Sequence, residues 1–319
     1  MQAAPLILEN VVKRFGDFAA VDDLSFQVNR GEIFGFLGPN GAGKTTTLRM
    51  ILDIIPPTSG RIEVLGSASA IPVRHRIGYL PEERGLYRKM KAAETIAYFA
   101  SLRGVPGGES RARADRLLRQ FGLGEFARAK NESLSKGMAQ KVQLLATIAH
   151  EPELLILDEP FTGLDPINQA TLETLISDLR RAGRTIIFST HTMQHAERLC
   201  DRFLILAKGK KRFEGTLDDA RAGFAPRLNI RTRDDVSPLN RAPGVLRVET
   251  LEARDGEDPA YAIELTRGAD PNSVLRAAFD AGLHLSRFEN ANASLHDIFV
   301  ALVGKDGETP DRDAAEAAA

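Results

Sequence analysis

Apolar and polar positions change rhythm along the chain, and each change predicts a different piece of architecture. Up to about Phe224, short apolar runs alternate with stretches of helical period. Residues 6–12 (LILENVV) and 24–28 (LSFQV) read as strands of an N-terminal antiparallel layer. Residues 32–38 (EIFGFLG) form a continuous apolar run closed by glycine, the pattern of a buried strand feeding a tight turn. Residues 44–52 then read as a helix. Residues 76–81 (RIGYLP), 154–160 (LLILDEP), 185–191 (TIIFSTH) and 203–209 (FLILAKG) read as further strands. This alternation predicts an α/β domain around a mostly parallel sheet. Between about residues 83 and 149 the period turns helical. Stretches 92–104, 111–123 and 136–150 carry apolar residues at three-and-four spacing, which predicts a helical subdomain inserted into the α/β core.

Past GFAPR (223–227) the order becomes strand (227–232), short turn or helix (234–241), strand (245–252), strand (260–266), helix (271–281), strand (284–289) and helix (294–303). That is close to β-α-β-β-α-β, a small α+β unit of ferredoxin-like arrangement. The expected organisation is therefore an α/β domain over 1–223, a ferredoxin-like domain over 224–304, and a tail over 305–319. The tail has no apolar face and reads as disordered. No catalytic motif falls in the second domain.

The residues that carry chemistry stand at strand ends. GPNGAGKT, residues 38–45, fits G-x-x-x-x-G-K-S/T in full, between a predicted strand and a predicted helix. Gly38, Gly41 and Gly43, with Pro39, Asn40 and Ala42 between them, let backbone N–H groups turn inward around phosphate oxygens. The helix start through Lys44, Thr45 and Thr46 adds positive potential. Lys44 would place its ammonium on the terminal phosphates, and Thr45 would offer a hydroxyl to Mg²⁺. The strand LLILDEP ends in Asp158, which can hold Mg²⁺ directly or through water. Glu159, one residue on, can polarise a water against a γ-phosphate, a role worth about 10²–10⁴ in rate. No N-K-x-D guanine motif accompanies the loop, so the nucleotide expected is ATP, with Mg²⁺.

Composition changes this picture little. Hydrophobic residues are 43%, charged residues 27% and the net charge is −1, which is ordinary for a globular protein and supplies no global field for nucleic acid. The one cysteine, Cys200, cannot close an internal disulfide and is expected to serve helix packing. No apolar run approaches the roughly 20 residues that span a bilayer, and the N-terminus lacks a signal-peptide pattern. Any membrane role is therefore expected to come through a partner.

Six elements in order carry a family resemblance. KRFGDFAAVDDLSF (13–26), the loop GPNGAGKT, YLPEE (79–83), LSKGM (134–138) shortly before LLILDEP, TGLD (162–165) and STH (189–191) together resemble the ATP-binding cassette (ABC) ATPases over residues 5–220. The resemblance implies that Phe15 stacks on adenine and that Glu82, where the family has a glutamine, is a Mg²⁺ ligand, with Glu83 as the alternative. It implies that two cassettes close head to tail over two ATPs. Ser135 and Gly137 of the signature would then reach the γ-phosphate held by the opposite subunit, a second copy or a paralogous cassette. Asp165 would lie in the loop between the sites, and His191 would contact the γ-phosphate or the attacking water. Lys136 and Met138 depart from the family's Leu-Ser-Gly-Gly-Gln, and Lys136 opposes the helix dipole.

YLPEERGLY, LSKGMAQKVQ and NANASLHDIFVALVG (290–304) are similar to bacterial cassettes that pair with a separate exporter-type permease, of sodium-efflux and multidrug-efflux kind. That likeness implies an ATP-hydrolysing motor subunit, peripheral on the cytoplasmic face of the inner membrane through a transmembrane permease, with no nucleic-acid partner. Residues 84–130, the region that docks the permease in the family, hold eleven Lys/Arg and four acids. A soluble ABC-fold ATPase or a regulator without turnover is the competing reading. The first would usually carry a long coiled coil or a second P-loop, and this chain has neither. The presence of Glu159 and His191 disfavours the second.

Overall fold

The computed structural model describes residues 4–83, 85–251 and 258–304. The chain divides into two compact units, one ending at Gly215 and one beginning at Thr216. The expected disordered tail lies outside the described residues.

The first unit opens with β1 (Leu6–Phe15) and β2 (Phe18–Val28), antiparallel to each other. Next come β3 (Ile33–Leu37), α1 (Lys44–Ile51), β4 (Ser59–Val64) and β5 (Ile77–Leu80). Helices α2 (Ala92–Leu102), α3 (Gly107–Gln120) and α4 (Lys136–Ile148) make the inserted helical region. Then follow β6 (Leu154–Asp158), α5 (Pro166–Arg181), β7 (Thr185–Thr190), α6 (Met193–Leu199), β8 (Arg202–Ala207) and β9 (Lys210–Gly215). The six-stranded sheet has the order β5-β6-β7-β3-β8-β9, parallel except for the last pair, and a three-stranded antiparallel layer has the order β2-β1-β4. Two of these strands were not anticipated. In β4 (SGRIEV) only Ile62 and Val64 are buried apolar residues, and β9 (KKRFEG) is polar because it is an edge strand, where charges discourage unwanted pairing.

The strands nearest the centre are buried from end to end: all five residues of β3, all five of β6 and all six of β7. A strand covered on both faces has no polar side, which is why these runs do not alternate. The antiparallel layer supplies one cover. Phe26 of β2 stacks on Phe34 of β3 at 5.5 Å, and Leu6, Leu8, Val11 and Leu24 join the same core. Cys200, just after α6, has its sulfur 2.6 Å from where a Cβ on Gly35 would stand, so it packs against β3, and burial pushes its thiol pKa up.

The second unit begins with α7 (Leu217–Arg221). It continues through β10 (Arg227–Arg231), a 3-10 turn at Ser237–Arg241, β11 (Val245–Leu251), β12 (Ala260–Leu265), α8 (Pro271–Asp280), β13 (Arg287–Asn290) and α9 (Leu295–Val303). Its sheet has the order β11-β12-β10-β13 with every pair antiparallel, the strand order of a ferredoxin-like fold with a 3-10 turn in place of the first helix. Leu228, Ile230, Leu239, Ile263, Leu265 and Val274 fill its core. The last strand starts at Arg287, later than residue 284, because the His284 N–H is taken by the Asp234 carboxylate at 2.6 Å.

His150, just past α4, ties the helical region to the sheet. Its Nε2 lies 3.1 Å from the carbonyl of Ile77 at the start of β5. A carbonyl only accepts, so Nε2 carries the proton, and Nδ1 is buried with no partner among the described residues. Burial, with Arg103 and Arg113 nearby, drives the His150 pKa from 6.5 to about 4. The folded state therefore refuses a proton that the unfolded chain accepts. The associated stability is full above about pH 6.5 and is lost as pH falls towards about 4, up to about 3 kcal/mol. Urea unfolding across that window should show a steep acid limb in the wild type and a shallower one in His150→Gln.

Candidate nucleotide-binding site

Adjacent strands deliver the candidate residues to one end of the parallel sheet. β3 lies between β7 and β8, and Leu37 pairs with Thr190. β6 lies beside β7, where Asp158 pairs with Ser189. The loop after β3, the acids ending β6 and the histidine after β7 thus emerge side by side, at the carboxyl ends of parallel strands where α/β sheets bind ligands.

The loop 38–43 needs its glycines for two reasons. Gly43 is left-handed at φ +102°, and a Cβ there would stand 2.4 Å from the Ala20 carbonyl oxygen. A Cβ on Gly38 would stand 2.4 Å from the Leu206 carbonyl oxygen. Asn40 and Gly41 are exposed on the rim, and Ala42 is buried beneath them. The first bond of α1 runs from the Thr47 N–H to the Gly43 carbonyl at 2.9 Å. The N–H groups of Lys44, Thr45 and Thr46 therefore have no acceptor within the helix, and no acid stands in its first turn. Such a terminus is suited to an anion.

Lys44 is 6% exposed. Its ammonium donates to the carbonyls of Gly38 (2.7 Å) and Pro39 (3.1 Å) and lies 3.6 Å from Glu159 Oε1. Burial lowers its pKa, and Glu159, Asp158 and Glu82 oppose that shift. Asp158 is 1% exposed; burial raises its pKa first, while Ser189, Thr45 and Lys44 act against the rise. Ser189 Oγ donates to Asp158 Oδ1 and accepts from the Glu159 N–H at 3.1 Å, so one hydroxyl fixes both acids. Glu159 has a left-handed backbone, φ +46°, which is uncommon for a residue with a Cβ. Its Oε1 lies between Lys44 and His191 Nδ1, the latter at 3.0 Å. Glu82 joins the group: burial, then Asp158 and Glu159, raise its pKa. The neighbouring Glu83 gives its carbonyl to Gln143 instead, at 3.3 Å.

These residues suit a divalent cation that arrives with phosphates. Asp158 Oδ2 is buried with no hydrogen-bond partner among the described residues. Among those residues no cluster of three His, Cys, Asp or Glu side chains could cage a metal alone. One or two carboxylates, a hydroxyl and substrate oxygens are the usual Mg²⁺ set.

Phe15, Ser135, Gly137 and Asp165 lie outside this charged cluster. Phe15 ends β1 at 48% exposure, with Lys13 Nζ 5.0 Å from its ring centre. Ser135 is the exposed N-cap of α4 and accepts from the Met138 N–H at 3.3 Å, and Lys136 begins the helix fully in solvent. Asp165 caps α5 through the Asn168 N–H at 2.9 Å, and its bonds to Asn168 hold its carboxyl low. Asn168 Nδ2 also lies 2.8 Å from the position of a Cβ on Gly137, so Asn168 joins the two exposed helix starts. Sequence reasoning missed Ser189, Asn168 and two glutamines of α4. Gln140 Nε2 donates to the Pro160 carbonyl at 2.7 Å, and Gln143 reaches Glu83. Two glutamines spaced by three on α4 were the available signal, as was a serine two residues before His191 on the same strand face.

A glycine loop between strand and helix, a buried lysine and a paired Asp-Glu at the next strand end define a P-loop nucleotide-binding protein. The family model for ABC transporters matches residues 21–162, and that for the C-terminal domain of DrrA1-3-like ATP-binding proteins matches 215–303. The chain is 40% identical over 300 residues to the ABC transporter ATP-binding protein YhaQ of Bacillus subtilis (strain 168), covering 94% of this chain and 98% of that one. It is 35% identical over 313 residues to the Nod factor export ATP-binding protein I of Burkholderia thailandensis, covering 96% and 99%. A solved ATP-binding subunit of an ABC transporter superposes with a TM-score of 0.64 at 34% identity, over 69% of this chain and 92% of that one. The chain belongs to the ATP-binding proteins of ABC transporters, which are ATPases.

Ser189→Ala would remove the hydroxyl that donates to the buried Asp158 Oδ1. Leaving such a group unsatisfied costs about 1–3 kcal/mol. Urea unfolding without added metal or nucleotide should show a loss of that size.

Proposed function

We propose that this chain is the motor subunit of an exporter, working as a head-to-tail pair of cassettes bound to a separate transmembrane permease. The observation that carries the catalytic part is Glu159, held in a left-handed turn between Lys44 and His191 beside Asp158. The loop from Gly38 to Thr46 would wrap the phosphates of ATP, and Phe15 would stack on the adenine. Lys44 would leave the Gly38 and Pro39 carbonyls to neutralise the terminal phosphates. Thr45, Asp158 and Glu82 would hold Mg²⁺, which when bound offsets the charge of the phosphates. Glu159 would accept the proton of the attacking water at its carboxylate, and His191 would orient that water against the γ-phosphate. Ser135 and Asp165 are exposed and Gly137 is half-buried, which leaves the start of α4 open to the site of an opposing cassette.

Export is supported by the Nod factor export relative and by the DrrA-like C-terminal match. Among the described residues no helix is long and apolar enough to cross a membrane. The basic stretch 84–130 is suited to the anionic inner face of a membrane beside a permease. The subunit would then be peripheral on the cytoplasmic face.

Glu159→Gln tests the reading. With Mg-ATP, turnover should fall by about 100-fold or more, and gel filtration should show an ATP-retaining dimer absent from the wild type. A wild type that neither hydrolyses ATP nor dimerises, even with its permease, would replace the motor by a nucleotide-dependent regulator.

A further inference from the structure

Behind the acidic turn lies a second histidine, buried and fully engaged. His195 stands one helical turn past His191, on α6, and is 7% exposed. Its ring stacks on Phe161 with centroids 4.0 Å apart and planes within 9°. Its Nδ1 lies 2.9 Å from Glu173 Oε1 on α5, and since a carboxylate only accepts, Nδ1 carries the hydrogen. Arg198 approaches the same oxygen at 3.8 Å. Phe161 is 4% exposed and meets Phe188 of β7 edge-on at 5.9 Å.

Phe161 belongs to two consecutive turns. The Thr162 N–H donates to the Glu159 carbonyl at 3.2 Å, and the Leu164 N–H donates to the Phe161 carbonyl at 3.3 Å. The first turn contains the left-handed Glu159. The second leads to Asp165, the cap of α5. A non-glycine residue in that backbone region costs about 1–3 kcal/mol and persists only where its surroundings over-determine it. Ser189 fixes the Glu159 N–H from the strand side. On the other side the fixed point is the Phe161 ring. Phe188 meets the Phe161 ring edge-on, and a second ring stacked on its face adds to what holds its plane. The His195 ring does so, and the hydrogen bond to Glu173 sets the plane of His195.

Two closed circuits therefore run through His195. One passes from Glu159 through the turn to Phe161, across the stack to His195, then to Glu173 and back along α5 to Asp165. The other passes back through the start of α6 and Thr192 to His191, whose Nδ1 returns to Glu159 Oε1.

We propose that His195 is a positioning residue for ATP hydrolysis: oriented by Glu173, its ring clamps Phe161 and so sets the Glu159 carboxylate and the His191 imidazole. The proposal rests on reading Glu159 as the base. The test uses the full chain, with the wild type and Glu159→Gln assayed alongside. In His195→Ala, kcat should fall by about tenfold or more, as small displacements of reacting groups do. KM for ATP should stay within about twofold, because the loop and Lys44 are untouched. His195→Phe keeps the stack and should recover kcat to within about threefold of wild type. His195→Gln keeps polar reach without a ring and should not.

An unchanged kcat in His195→Ala would overturn the proposal. So would His195→Phe being as impaired as His195→Gln, or kcat tracking melting temperature across the series, which marks general packing. If His195→Ala does not fold, the Phe and Gln variants decide. Turnover by Glu159→Gln at the wild-type rate would sink the base assignment and the clamp together. Loss in Glu159→Gln without the His195 pattern would sink the clamp alone.

Discussion

An ammonium held out of water among carboxylates is the constraint around which this cassette is arranged. Lys44 has a lowered pKa because it is buried, while Asp158 and Glu82 have raised ones for the same reason. Removing charges from water is costly unless each finds a partner. The fold supplies partners from three neighbouring strands: loop carbonyls after β3, a carboxylate after β6 and a hydroxyl and imidazole from the end of β7. One carboxylate oxygen, Asp158 Oδ2, is left over among the described residues. A structure optimised only for stability would have satisfied that oxygen. Under the proposed function that oxygen would take Mg²⁺.

Alongside the apolar packing of α4, polar bonds tie the inserted helical region to this cluster. Helix α4 begins at the exposed Ser135, and two glutamines on its flank hold the carbonyls of Pro160 and Glu83. Those carbonyls adjoin Glu159 and Glu82. A shift of the helix start would therefore be felt at both acids. Thr147 and His150 make further ties to β5, through the carbonyls of Tyr79 and Ile77. The region that would meet a membrane partner and the region that would meet phosphate thus share short, directional contacts. These can change between two arrangements more readily than a packed core can.

The departures from the family pattern fall in places where the structure tolerates them. Lys136 projects into solvent at the start of α4, so its unfavourable interaction with the helix dipole is screened. Glu82 is more demanding. It adds a third carboxylate near Asp158 and Glu159, and the Lys44 ammonium and the His191 side chain act against the rise in its pKa.

Much of the cassette was legible because its signals are local. A glycine loop must follow a buried strand and open a helix, and the loop, Asp158 and Glu159 could all be named from spacing alone. The ferredoxin-like strand order also followed from element order, since few arrangements connect such strands without crossing. The polar strands β4 and β9 were missed because edge and cover strands carry no continuous apolar run.

The sequence by itself named the candidates for the chemistry: Lys44, Thr45, Asp158 and Glu159 from the glycine loop and the strand end, and His191 through the family resemblance. Tertiary structure alone decided what surrounds them. Ser189 gains its role because β6 and β7 pair in the register that sets it against Asp158. Asn168 gains one because the starts of α4 and α5 meet. His195 gains one because the ring of Phe161, one helix and one strand earlier in the chain, packs face to face against it. Register and packing join residues far apart in the chain, and no local pattern records which partner a side chain will find.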